Sequence, residues 1–196
     1  RKIIYEQRRQ VLDGEDLHTS IQSMIRFVID GIVHAAFGEQ KHLGDLSQFA
    51  EMMRHIEGVY LPEGSWKVTE DELKALTKEQ AEEKLMQLMD SFYAAKEQQY
   101  TPAVMREVER VITLRVVDEY WMDHIDAMDD LRQGSRLRAY AQEDPVIAYK
   151  REGFEMFEAL TSAIKEEIVR RLFSFRLKTD AEVKRQRVAK VTGEGG

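Results

Sequence analysis

Seven side chains able to bind a metal or move a proton crowd one short stretch: Asp118, Glu119, Asp123, His124, Asp126, Asp129 and Asp130. On a helix, Asp123 and Asp126 are three apart and Asp126 and Asp130 four apart, spacings that put carboxylates on one face. Converging carboxylates with an imidazole are the donor set of a divalent-cation site. Such a site also draws ligands from a second element, and the segment that would pack opposite carries no matching cluster. Nor is there a Glu-x-x-His pair of the di-iron bundle kind. The stretch therefore reads as a solvated face, with Arg115, Arg132, Lys150 and Arg151 as counter-charges and no metal. The remaining histidines, His18, His34, His42 and His55, are scattered. The absence of cysteine excludes thiolate ligands, thiol nucleophiles and disulfides.

A second constellation has the chemistry of contact. Gln133 to Gln142 holds Arg136, Leu137, Arg138 and Tyr140 with no acid until Glu143. Tyrosine and arginine dominate contact energy at interfaces and suit a polypeptide ligand, offering apolar area with adaptable polar ends. Either Leu137 and Tyr140 fold back on their own helices or they meet a partner. The phosphate-binding loop, the dinucleotide fingerprint, the nucleophile elbow and the His-Glu-x-x-His motif are all missing. No catalytic or cofactor-binding residue is assigned, and the chain reads as an interaction module.

These residues sit on long helices. Leu17, Ile21, Met24, Ile25, Val28, Ile29, Ile32 and Val33 recur at helical spacing and predict a helix over about 15–37, after a break at Asp13-Gly14. A shorter helix over Leu46 to Ile56 turns Leu46, Phe49, Met53 and Ile56 inward. Thr69 with Glu72 and Thr77 with Gln80 are capping boxes. The second opens a helix to about Gln99, striped by Ala81, Leu85, Leu88, Met89 and Phe92. Met52, Met53, Met86 and Met89 read as core fillers rather than an adaptable binding surface.

Thr101-Pro102 pairs an N-cap with a proline at the first helical position and marks a domain boundary. The long helix after it carries Val104, Val108, Val111, Leu114, Val117, Trp121, Ile125, Met128 and Leu131 as its apolar stripe. Trp121 is a core residue in this reading, and Gly134 closes the helix. Asp144-Pro145 repeats the cap and starts a helix striped by Phe154, Phe157, Leu160, Ile164, Ile168 and Leu172. The expected fold is all-α: a long antiparallel helical hairpin plus a small helical domain.

Charged residues make up 33% of the chain, above the usual ~25%, and only 3 prolines interrupt it, which favours solvated helices. The formal net charge of -7 argues against nucleic acid as a partner. Residues 176–190 carry six bases against two acids, and 176–196 reads as a charged, disordered tail. No apolar run approaches the length of a bilayer span and no signal peptide opens the sequence. The chain opens inside a helical pattern without methionine, so it reads as a piece of a larger protein. An apolar stripe left uncovered on such a piece would allow homodimerisation, and the sequence leaves the oligomeric state open.

Three stretches are similar to one family: Val117 to Gly134, Leu137 to Pro145, and Tyr149 to Phe157. All three resemble SecA, the bacterial preprotein translocase motor. The resemblance implies that 1–12 is the end of the scaffold helix, 13–101 the helical wing, and 102–175 the two-helix finger with its return onto the scaffold. It implies a finger that contacts unfolded preprotein and the SecYEG channel, with Tyr140 at the family's tip aromatic beside Leu137, Arg138, Arg136 and Gln142. Parent motor domains would bind ATP and magnesium; their motifs are absent here, as is the zinc tail, so the chain alone is expected to hydrolyse nothing. Its place would be cytoplasmic, peripheral at the inner face of the cell membrane. Where the family usually reads Gln-Gly-Ile-His-Leu-Arg, this chain has Ser135 and Arg136 in place of isoleucine and histidine, a more polar tip. The alternative is a scaffold whose tip restrains the parent ATPase.

Overall fold

A computed structural model of the chain describes Glu6, Arg9, residues 17–138 and 144–178, Arg185 and residues 187–190; side chains at 135–138 lie outside the description. The apolar repeat becomes helix α1 (Leu17–Phe37), which buries Ile21, Ile25, Val28, Ile29, Val33 and Phe37. A stripe this wide has several partners. Around α1 pack α2 (Leu46–Arg54), α4 (Lys78–Tyr100), α5 (Pro102–Arg138) and α6 (Pro145–Ser174), while the short α3 (Glu70–Ala75) leads into α4. The protein is all-α; among the described residues the only bridge of strand type is an isolated pair, Glu57 with Leu61.

Each short helix starts where a side chain replaces a missing intrahelical bond. Asp45 accepts from the Gln48 amide at 3.0 Å, and Thr69 from the Glu72 amide at 3.2 Å. At Thr77 the box is reciprocal, with the Gln80 amide on the Thr77 hydroxyl and the Thr77 amide on the Gln80 side chain. Helix α2 stops at Arg54, two residues before the sequence reading, yet Ile56 is still buried in the turn that follows. Leu46, expected inward, is exposed on the first turn of α2. Met52, Met53 and Met89 are buried and Met86 packs against them, so these methionines fill the core. Trp66 folds over α2 and meets Phe49 edge to face at 5.0 Å.

The long helices differ from expectation in two ways. Helix α5 does not close at Gly134; it continues to Arg138. One glycine costs about 1 kcal/mol of helix propensity, and Ser135 to Arg138 are good enough helix formers to carry the chain on. Residues 139–143, between the two long helices, lie outside the description. Second, the buried face of α5 is turned from the predicted stripe. Met105, Glu109, Thr113, Val116 and Val117 are buried, whereas Val104 and Val111 are exposed. The helix begins against α4 and α1 and then lies along α6, so no single apolar row describes it. The expectation that charge faces water hid Glu109.

Helices α5 and α6 pack lengthwise in opposite senses. His124 faces Phe157, with ring centroids 6.2 Å apart, and Met128 faces Gly153, further out on α5 and nearer the start of α6. A Cβ at Gly153 would lie 3.1 Å from the Met128 methyl, so glycine leaves room for that side chain. Towards its end α6 enters the core: Phe173 stacks on Phe92 at 5.7 Å and also meets Tyr93 and Tyr60. One cluster of buried residues runs from Ile21 to Phe173. After α6 the chain loses regular structure over 175–178; Arg185 and 187–190 are helical and exposed, and the rest of the expected tail lies outside the described residues. Of the first twelve residues only Glu6 and Arg9 are described, both helical.

Arg171 ties the long helices together, donating to Glu119 of α5 at 2.7 Å and to Glu167 at 2.7 Å. Hydrogen bonds from Arg170 and Arg171 hold the Glu167 carboxyl down at about 2. Because the folded value is depressed, this contribution is present above the ordinary carboxylate range and lost as pH falls from about 4.5 towards 2. Carboxyl-carbon NMR titration is expected to give Glu167 a midpoint near that low value; an ordinary glutamate midpoint would mean that the arginine pair is not formed in solution.

Candidate functional site

The acidic stretch lies on α5 past the residues that this helix buries, and α6 starts at Pro145, after α5 ends at Arg138. Asp144 accepts from the Val146 amide at 2.9 Å, and Pro145 takes the first helical position, so cap and proline start α6 as expected. Pro102 likewise begins α5, where the Thr101 hydroxyl accepts from the Val104 amide at 3.4 Å. Trp121 is half-buried rather than enclosed: its indole stacks on His124 at 5.4 Å, and His124 in turn meets Phe157. Burial in this ladder lowers the pKa of His124, favouring the neutral ring.

Around this ladder the surface is unexpectedly apolar. Met122 is 68% exposed, Ile147 61%, Val146 59% and Phe154 63%. Phe154 was expected inward, on one row with Phe157 and Leu160. Gly153 makes the close contact with Met128 instead, and its neighbour Phe154 points about a quarter-turn away, to solvent. Met122, Val146 and Ile147 carried no sequence signal of their own, because single apolar residues between charged ones look like ordinary surface.

The tip residues follow directly. Arg136, Leu137 and Arg138 occupy the last turn of α5, with side chains outside the description; Tyr140 and Gln142 lie outside the described residues altogether. The acidic face is solvated for most of its length, since Glu119, Asp123, Asp126, Asp129 and Asp130 are exposed. Glu119 pairs with Arg171, a partner that sequence reading missed, and Asp129 with Arg132 at 4.0 Å. Among the described residues no group of three or more His, Cys, Asp or Glu side chains is placed to hold a metal ion, and no helix is long and apolar enough to cross a membrane.

The described residues form an all-α bundle in which two long helices lie side by side and carry exposed Met122, Val146, Ile147 and Phe154. The family model of the SecA wing and scaffold domain matches residues 1–176, and the chain belongs to that family. It is 44% identical over 207 residues to the protein translocase subunit SecA of Clostridium novyi (strain NT), aligning along 100% of this chain and 24% of that protein. It is 44% identical to the SecA of Clostridium perfringens (strain 13 / Type A) along 98% of the chain, and 45% identical to SecA 1 of Clostridioides difficile (strain 630) along 94%. The chain thus spans about a quarter of the length of the curated relatives it matches.

Proposed function

We propose that this chain is the part of a SecA-type protein translocase that meets the moving polypeptide and its channel through the far end of α5 and α6. The observation that carries the reading is the exposed apolar set Met122, Val146, Ile147 and Phe154 on α5 and α6. Apolar side chains left in water at the end of a rigid two-helix unit gain by covering a partner. Unfolded preprotein offers apolar side chains without fixed shape, which suits leucine, methionine and tyrosine contacts. The helices carry movement between that end and motor domains elsewhere in the parent protein. ATP and magnesium belong to those domains, and this chain binds no cofactor. The whole translocase is cytoplasmic and peripheral at the inner face of the cell membrane, where its partner is the SecYEG channel. A copy lacking its motor domains exposes surface through which it can dimerise.

Tyr140→Ala in the full-length translocase tests the reading. Transport is expected to fall by about tenfold or more while basal ATPase activity stays intact, the pattern of a lost contact on the transported chain. Raised basal ATPase activity with normal transport would instead mean that the tip restrains the motor.

A further inference from the structure

We infer that the one-residue joint between α4 and α5 is a braced elbow, in which the charge chain Glu97–Arg106–Glu109–His18 sets the direction in which the two long helices leave the wing. The joint is Thr101 alone: α4 ends at Tyr100 and α5 begins at Pro102. Thr101 has φ 78 and ψ 149, the only positive φ among the described non-glycine residues. A threonine holds such a conformation only when its surroundings over-determine it.

The surroundings are a strut. Glu97, in the last turn of α4, lies 3.2 Å from Arg106, early in α5, so the pair spans the joint. Arg106 Nε is 2.7 Å from Glu109, whose side chain is 1% exposed. Glu109 continues the chain to α1, with both carboxylate oxygens 3.3–3.4 Å from His18 Nδ1. The Tyr93 hydroxyl is buried beside them. Three helices are therefore tied by charges at the root of the hairpin.

Stability does not explain the arrangement. Exposed ion pairs contribute little, and a buried carboxylate costs desolvation that only well-aimed partners repay. The Arg106 Nε and Nη2 groups are not aimed along their short contacts and make no aligned hydrogen bond. Burial accordingly raises the Glu109 pKa despite Arg106 and His18. What the chain of charges does fix is geometry: Glu97–Arg106 joins α4 to α5, Glu109–His18 joins α5 to α1, and Arg106–Glu109 links the two along α5. At 1.5 Å per residue, position 130 lies about 43 Å along α5 from the elbow, so a swing of about 10° moves it by about 7 Å. The inference concerns this chain alone and stands whether or not the far end meets a polypeptide.

The chain has no cysteine, so Glu83→Cys on α4 and Asp130→Cys on α5, both exposed positions, accept a spin-label pair without competition. Pulsed dipolar spectroscopy on the full chain is expected to show one narrow distance. Arg106→Gln is expected to widen the distribution about twofold or shift it by several ångströms, as for a released hinge, with helicity retained. Glu97→Gln removes only the strut and is expected to widen it less, while Glu107→Gln, which breaks an ion pair with Arg110 away from the joint, leaves it unchanged. An unaltered distribution in both Arg106→Gln and Glu97→Gln overturns the proposal, as does equal widening in Glu107→Gln. If Arg106→Gln does not fold, Glu97→Gln alone decides.

Discussion

Phe173→Ala is expected to destabilise the chain by about 3–5 kcal/mol, the range for truncating an enclosed aromatic. The ring is 4% exposed and touches Phe92, Tyr93 and Tyr60, so three ring contacts vanish at once. Phe173 is also where α6 docks on the wing, so its loss should free the end of α6 as well as lower overall stability. Urea unfolding followed by circular dichroism measures the effect. Phe154→Ala is the matched control: same residue, same helix, exposed, and expected to change stability by about 0.5 kcal/mol or less. A loss below about 1 kcal/mol in Phe173→Ala would mean that α6 is not seated on the wing in solution.

Lys96→Met should cost about 1–2 kcal/mol at neutral pH and remove a pH dependence. The Lys96 ammonium donates to the carbonyls of Leu172 and Phe173 at 3.2 and 3.0 Å, capping the end of α6. It also lies 4.2 Å from the centre of the Phe175 ring. Charged hydrogen bonds contribute about 1.5–3 kcal/mol each, but burial opposes the charge and lowers the amine to about 8. That opposition is why the net loss is smaller than the sum of contacts, and the half-exposed position of Lys96 reduces it further. The sign with pH follows from the lowered value. Below about 8 the amine is charged in both states; between about 8 and 10.5 the unfolded chain holds the extra proton. Stability therefore rises with pH between about 8 and 10.5 and is level with respect to this group below about 8. Tyr60 and Tyr93, whose pKa values burial raises, titrate in both proteins. The difference between wild type and Lys96→Met isolates the lysine. Equal stability at neutral pH, or parallel curves between pH 8 and 10, would contradict the cap.

Helix existence was readable because apolar spacing, caps and prolines are local. Thr77 with Gln80, Asp144-Pro145 and the Ile21-to-Val33 row need no tertiary partner to be recognised, and each appears where it was expected. What failed was orientation. Arg106, three residues before it on α5, was a visible partner for Glu109, but its burial depends on His18 of α1 and the packing of α1 and α4, which its own position does not announce. Phe154 faces water because the close approach runs through Gly153, a matter of which residue meets Met128. Gly134 looked like a stop because propensity weighs one residue, while the helix responds to its whole length. The family resemblance rested on long stretches of α5 and α6 and implied a tip that lies outside the described side chains; the exposure of Met122, Val146, Ile147 and Phe154 came only from the packing of the two helices.

Photocrosslinking from position 140 in the full-length translocase, captured while a preprotein is moving, tests the central claim most directly. The account predicts adducts to the transported chain and to the channel; adducts confined to the parent protein itself, or none, would contradict it.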